Sequence, residues 1–289
     1  MRIVTALFLI LAFASEAGAA DGKLTVVAAE NFYGDIARQI GGDKVDVVSI
    51  LNNPEQDPHL FETTPGIVRQ IADAQIVIFN GANYDAWMEK LLAAAPRPNR
   101  IVINAAQLTG AKPGDNPHLW YAPATMPAVA KAVTEAFGKT DAANANDYAL
   151  RLVATLASFE RINLRVALMK SKHAGQPVTA TEPVFGPMAD ALGLTVRNQR
   201  FALSMMNDTE PSARDVAAFE NDLKGKKVKL LLYNKQVSEK LTLRLLDIAK
   251  KAKVPVVGVT ETLPANMSFQ DWMLGQLDAV DKALTGPNS

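Results

Sequence analysis

The chain has 289 residues, 48% hydrophobic and 21% charged, which is enough for two ordinary lobes and unlike a disordered composition. Thirty Lys and Arg balance thirty Asp and Glu. That excludes a generic nucleic-acid or anionic-membrane partner, because recognition of either needs a basic excess. Cys is absent, so disulfides, iron–sulfur clusters, cysteine zinc fingers, thiol catalysis and a lipid-modified Cys are excluded together.

In chain order, Arg2, the apolar run Ile3 to Ala14 and the small residues Ala17-Gly18-Ala19-Ala20 read as a cleaved export signal over 1–20, cut after Ala19 or Ala20. The apolar run falls short of the roughly 18 residues that a spanning helix needs. The expected location is therefore the periplasm, without a lipid or membrane anchor.

Short apolar strand-like runs then alternate with amphipathic stretches, the pattern of parallel α/β units. Leu24 to Ala28 reads as a strand, Phe32 to Ile40 as a helix closed by Gly41-Gly42, Val45 to Leu51 as a strand and Ile67 to Ala72 as a short helix. Gln75 to Phe79 is a strand, Tyr84 to Ala94 a helix and Ile101 to Ile103 a strand. From Lys139 to Ala174 there is neither Gly nor Pro, and Tyr148, Leu152, Leu156, Phe159, Ile162, Val166 and Met169 recur at steps of four and three. This predicts one long helix. Strands near Val178, Val196, Leu230 to Tyr233 and Val256 to Val259 follow. They are interleaved with helices at Val184 to Leu192, Ala213 to Leu223, Glu239 to Lys251 and Phe269 to Leu284. The expected organisation is an N-terminal α/β lobe over 21–138, a connecting helix over 139–174 and a C-terminal α/β lobe over 175–289. The sheets should be mainly parallel and the ligand site should lie in the interlobe cleft.

Candidate site residues are polar groups placed just after strands. Asp57-Pro58-His59 and Asn116-Pro117-His118 present two imidazoles from proline-constrained loops of the first lobe. A preorganised imidazole is a common metal ligand, so the pair points to a shared ion. His173, at the end of the long helix, reads as a surface residue favourable against the helix dipole and stays outside the site. The second lobe offers Glu182 and Glu261 after its strands. By spacing alone each is equally well explained as a helix-end or loop carboxylate.

The run Asp57-Pro58-His59-Leu60-Phe61-Glu62-Thr63-Thr64-Pro65, with Asn80-Gly81-Ala82-Asn83-Tyr84-Asp85-Ala86-Trp87, resembles the first ligand region of the zinc- and manganese-class periplasmic solute-binding proteins of ABC importers. Asn116-Pro117-His118-Leu119-Trp120 resembles their second. Val178 to Phe185, Glu210-Pro211-Ser212 and Val259-Thr260-Glu261-Thr262-Leu263 continue the series to the chain's end. The ordered series is more specific than any one of its motifs. The departures are Glu261 where Asp is usual, no acidic residue at Tyr121-Ala122-Pro123, and no His-rich or acidic insertion between His59 and His118.

The resemblance implies a stiff, monomeric, non-enzymatic receptor whose partners are the membrane permease subunits of an ABC importer. Its ligands would be His59, His118, Glu182 and Glu261 around one divalent transition-metal ion, Zn²⁺ or Mn²⁺, with Fe²⁺ also admitted. The alternatives are a zinc metallohydrolase and a receptor for an organic solute or metal chelate. Neither a metalloprotease HExxH helix nor a G-x-S-x-G elbow nor a P-loop lysine motif is present.

Overall fold

The computed structural model describes residues 22–55, 58, 61–112, 114–237 and 239–286. The export signal and His59 lie outside the described residues. Two four-stranded, all-parallel sheets carry the two lobes. The first has the order β2-β1-β3-β4, from Leu24–Glu30 (β1), Val45–Leu51 (β2), Ile76–Phe79 (β3) and Ile101–Asn104 (β4). The second has the order β6-β5-β7-β8, from Pro177–Ala180 (β5), Thr195–Arg197 (β6), Leu231–Asn234 (β7) and Val256–Val259 (β8). The expected two-lobe α/β class is observed, and its strands fall where the apolar runs placed them.

Both sheets reverse direction at their second strand, between β1 and β3 in one and between β5 and β7 in the other. A crevice opens at such a switch point beyond the carboxyl ends of the strands. Glu30 ends β1, Asn80 follows β3, Glu182 follows β5 and Asn234 ends β7. The topology therefore carries polar side chains from both lobes to one place.

Helix Asn31–Gly41 (α1) follows β1 directly and buries Phe32, Tyr33, Ile36 and Ile40 on one face. Phe32 stacks on Trp120 at 4.6 Å and on Trp272 of the C-terminal helix at 6.1 Å. Tyr121 continues the aromatic chain to Phe185 and Trp272. A single apolar cluster thus runs from Leu24 to Leu284 through both lobes. Because protein interiors are close-packed, a shared core resists wide opening of one lobe against the other.

The connecting helix spans Ala145–His173, shorter than the uninterrupted stretch from Lys139 to Ala174 suggests. An unanticipated helix, Thr125–Thr140, precedes it and ends at Asp141. The Asp141 carboxylate accepts from Tyr148 Oη and Asn144 Nδ2, both at 2.7 Å, so the break is made by an Asp side chain and needs neither Gly nor Pro. At 1.5 Å per residue the 29-residue helix runs about 43 Å.

The expectation for His173 is corrected. The residue is buried, with Nε2 2.6 Å from Asp281 Oδ1 and Nδ1 accepting from Gln176, so it joins the connecting helix to the C-terminal helix Phe269–Thr285.

Candidate metal site between the lobes

His118 is presented by the loop after Ala105–Thr109, immediately before a single 3₁₀ turn, Leu119–Tyr121. It is fully buried. Asn116 Oδ1 accepts from the His118 backbone N–H at 3.1 Å and lies 2.7 Å from Nδ1. The amide cannot be turned round, because its Nδ2 donates to Pro183 O in the other lobe at 2.8 Å. Only an Nδ1–H satisfies this arrangement, so a neutral ring carries its proton on Nδ1 and presents the lone pair of Nε2. Among the described residues that nitrogen has no hydrogen-bond partner, and it faces Glu261 Oε2 at 3.3 Å.

Glu261 and Glu182 come from the opposite sheet and are 0% and 5% exposed. Each lies two residues past its strand, as post-strand placement anticipates. Glu261 Oε2 accepts from Tyr84 Oη at 3.0 Å, and Oε1 accepts from Asn234 Nδ2 at 2.6 Å. The same Asn234 nitrogen donates to Glu182 Oε2 at 2.9 Å. These donors are neutral, so they orient the carboxylates without cancelling their charge. Burial and the negative charge of Glu261 raise the Tyr84 pKa well above the usual phenol value, which keeps its proton available for donation.

The Glu261 loop is tied to the first lobe. Tyr121 Oη donates to Thr260 O at 2.7 Å, and the Asn31 side chain exchanges two hydrogen bonds with the Leu263 backbone, at 2.7 and 2.9 Å. Gln236 Oε1 accepts from the Glu261 N–H at 2.5 Å, and Gln236 Nε2 reaches Thr262 Oγ1 at 2.9 Å.

Behind Tyr84, the turn Asn80–Asp85 is wound tightly, with positive φ at Gly81, Ala82 and Asn83. Such strain persists only where surrounding groups over-determine it. Asp85 supplies that restraint, accepting from the Asn80 and Gly81 backbone N–H groups at 2.6 and 2.7 Å. Asn80 in turn accepts from Tyr33 Oη at 2.8 Å and donates to Pro117 O at 2.8 Å, beside His118. One turn therefore supports both Tyr84 and the His118 loop.

Glu30 is fully buried against this turn, and among the described residues neither of its carboxyl oxygens receives a hydrogen bond from the N–H of another residue. Its neighbour is the Asp85 carboxyl. Two carboxyls in contact share a proton, and Asp85, which already accepts two backbone amides, is the better anion. Glu30 is then the acid that donates to it. Burial, and next the Asp85 charge, push the Glu30 pKa well above the usual carboxyl range, while burial moves Asp85 to about 6.

Of the four residues expected from the sequence, the structure sets His118 against Glu261 and links Glu182 to Glu261 through Asn234, and His59 lies outside the described residues. Among the described residues, no three His, Asp or Glu side chains form a metal cage by themselves. What fits an ion is the chemistry of the facing pair. A buried imidazole nitrogen, which carries a lone pair in the Nδ1–H tautomer, and a buried carboxylate oxygen meet at 3.3 Å. Two donors about 2.0–2.1 Å from one tetrahedral zinc are separated by roughly 3.3 Å.

The model of the family described as "ZnuA: Zinc-uptake complex component A periplasmic" matches residues 26–283. The chain belongs to this family. Members of the ZnuA family are metal-specific periplasmic solute-binding proteins of ABC importers, transport receptors and not enzymes. Among relatives, the "High-affinity zinc uptake system protein ZnuA" of Bacillus subtilis is 24% identical over 98% of this chain and 94% of its own length. The fold is shared with the periplasmic zinc-binding protein TroA of Treponema pallidum, at TM-score 0.76, 19% identity and coverage of 91% and 99% of the two chains. It is shared also with a manganese-bound mutant of a periplasmic metal-binding protein from Candidatus Liberibacter asiaticus, at TM-score 0.73, 17% identity and coverage of 91% and 100%. No helix among the described residues is long and apolar enough to cross a membrane.

Asn234, Tyr84, Asn116 and Asn80 are absent from the expected ligand set, although all four hold it in place. Asn234 directly follows the apolar run Leu230 to Tyr233, so the post-strand rule that selected Glu182 and Glu261 also points to it. Asn116 stands two residues before His118, the reach needed for its amide oxygen to meet both the backbone N–H and Nδ1. Tyr84 carries no comparable local signal.

Proposed function

We propose that this chain is the extracytoplasmic receptor that captures one divalent transition-metal ion, Zn²⁺ or Mn²⁺, between its lobes and hands it to the permease of an ABC importer. The ion is cargo. His118 and His59 supply imidazole nitrogens from the first lobe, and Glu182 and Glu261 supply carboxylate oxygens from the second. Two neutral imidazoles and two carboxylates balance the charge of an M²⁺ ion, which lowers the cost of burying it. The observation that carries this reading is the buried Nε2 of His118, without a hydrogen-bond partner among the described residues, facing Glu261 Oε2 at 3.3 Å.

The receptor works as a freely diffusing monomer without a lipid anchor. Because the lobes share one apolar core, ion entry and release proceed by local movement of the Glu261 loop, held to the first lobe by Asn31, Tyr84 and Tyr121. Elemental analysis of protein recovered from a Gram-negative periplasm tests the assignment. The parent should carry one zinc or manganese ion per chain, and His118→Ala and Glu261→Ala should lose it. A parent without metal, or variants loaded like the parent, would contradict the reading.

A further inference from the structure

Asn234 bridges the two carboxylates of the site. Its Nδ2 has two hydrogens, and both are committed, to Glu182 Oε2 at 2.9 Å and to Glu261 Oε1 at 2.6 Å. The amide is fixed from three directions. Asn234 is the last residue of β7, the Gln236 backbone N–H donates to its Oδ1 at 3.0 Å, and its own backbone N–H reaches Thr181 Oγ1 at 3.3 Å. It is 1% exposed, so water offers no competing donor. The Gln236 contact also sets which end of the amide faces the carboxylates.

A carboxylate binds a metal through both oxygens only when both turn towards the ion. In Glu261, Oε2 is the oxygen facing His118 Nε2 at 3.3 Å, while Oε1 is turned to Asn234. In Glu182, Oε2 is held by the same amide. A donor bonded to a carboxylate is charge-assisted and roughly twice as strong as a neutral pair, so rotating either carboxylate into two-oxygen binding breaks a strong contact.

We propose that Asn234 holds Glu182 and Glu261 each to one metal-facing oxygen and thereby acts as the selectivity residue of the site, keeping the ion four-coordinate and favouring Zn²⁺ over Mn²⁺. This rests on the metal-receptor reading above. Zinc is satisfied by four donors in a tetrahedron, whereas manganese prefers oxygen-rich sites of higher coordination number. A restraint that withholds one oxygen from each carboxylate withholds the two donors that would raise coordination from four to six.

The test uses the full mature chain, stripped of metal, with Zn²⁺, Mn²⁺ and Co²⁺ as probes. Competition titrations of the parent and Asn234→Ala give the ratio of the Mn²⁺ to the Zn²⁺ dissociation constant. The ratio should fall at least tenfold in Asn234→Ala as the released carboxylates each offer a second oxygen. Visible absorption of bound Co²⁺ should show the intense bands of a four-coordinate ion in the parent and weaker bands in the variant. An unmoved ratio, or equal weakening of both ions, would overturn the selectivity role. If Asn234→Ala does not fold, the parent Co²⁺ spectrum still decides, because weak bands of higher coordination there would overturn the proposal without a variant. A parent that binds none of these ions overturns the receptor reading itself, which separates that failure from failure of the clamp.

Discussion

Replacing Glu30 by Gln should stabilise the metal-free protein at neutral pH, by an amount that grows with pH. In the folded state Glu30 keeps its proton because it is buried beside Asp85, and its pKa stands well above the ordinary carboxyl value. In the unfolded chain the same group ionises above about pH 4.3. Between those two values the folded state holds one proton more than the unfolded state, so the stability due to Glu30 is complete below the unfolded pKa. It is lost progressively as pH rises towards the folded pKa. One proton corresponds to about 1.4 kcal/mol per pH unit. Gln presents an N–H to Asp85 in place of the acid O–H and does not ionise in either state. Asp85, at about 6, titrates in both proteins and largely drops out of the difference. As pH rises from the unfolded pKa towards the folded one, the gap between Glu30→Gln and parent should therefore widen, by at most about 1.4 kcal/mol per pH unit. Thermal unfolding with chelator at pH 5, 6, 7 and 8 measures it directly. A gap that does not change with pH, or a Gln variant that loses ground as pH rises, would refute the assignment of the proton to Glu30.

Asn31→Ala removes both side-chain hydrogen bonds to Leu263 and should cost about 2 kcal/mol by thermal denaturation, at roughly 1 kcal/mol per bond. It should also speed metal release in a stopped-flow chelator competition, because it loosens the loop that carries Glu261. Glu182→His makes the donor set richer in nitrogen and one negative charge poorer, so competition titrations should shift towards Zn²⁺, while Glu182→Ala should weaken both ions. An alanine variant that binds both ions like the parent would remove Glu182 from the ligand set.

The fold was legible because its signals are local. Apolar runs of three to seven residues marked the strands, and the 3.6-residue period marked the connecting helix. Post-strand placement selected Glu182 and Glu261, and the proline-held loop selected His118. What escaped depends on partners distant in the chain. Tyr84 gains its role from Glu261, 177 residues away, and His173 is buried by Asp281, 108 residues away. Nothing in the neighbouring residues announces either contact. The helix boundary at Asp141 escaped for a different reason. Absence of Gly and Pro permits continuation without requiring it, and a carboxylate that accepts from Tyr148 and Asn144 ends the preceding helix equally well. The acid state of Glu30 is also invisible in sequence, since it follows from the backbone amides that already occupy Asp85.

The central claim is that one ion bridges the lobes through His118 on one side and the Glu182–Glu261 pair on the other. Calorimetric titration of chelator-stripped protein with Zn²⁺, run in parallel on Glu261→Ala, tests it most directly. The parent should bind one ion per chain. The variant, which retains every first-lobe residue but lacks the carboxylate facing His118, should bind at least a hundredfold more weakly. Zinc binding of equal strength and stoichiometry in both proteins, or none in the parent, would contradict a site shared between the lobes.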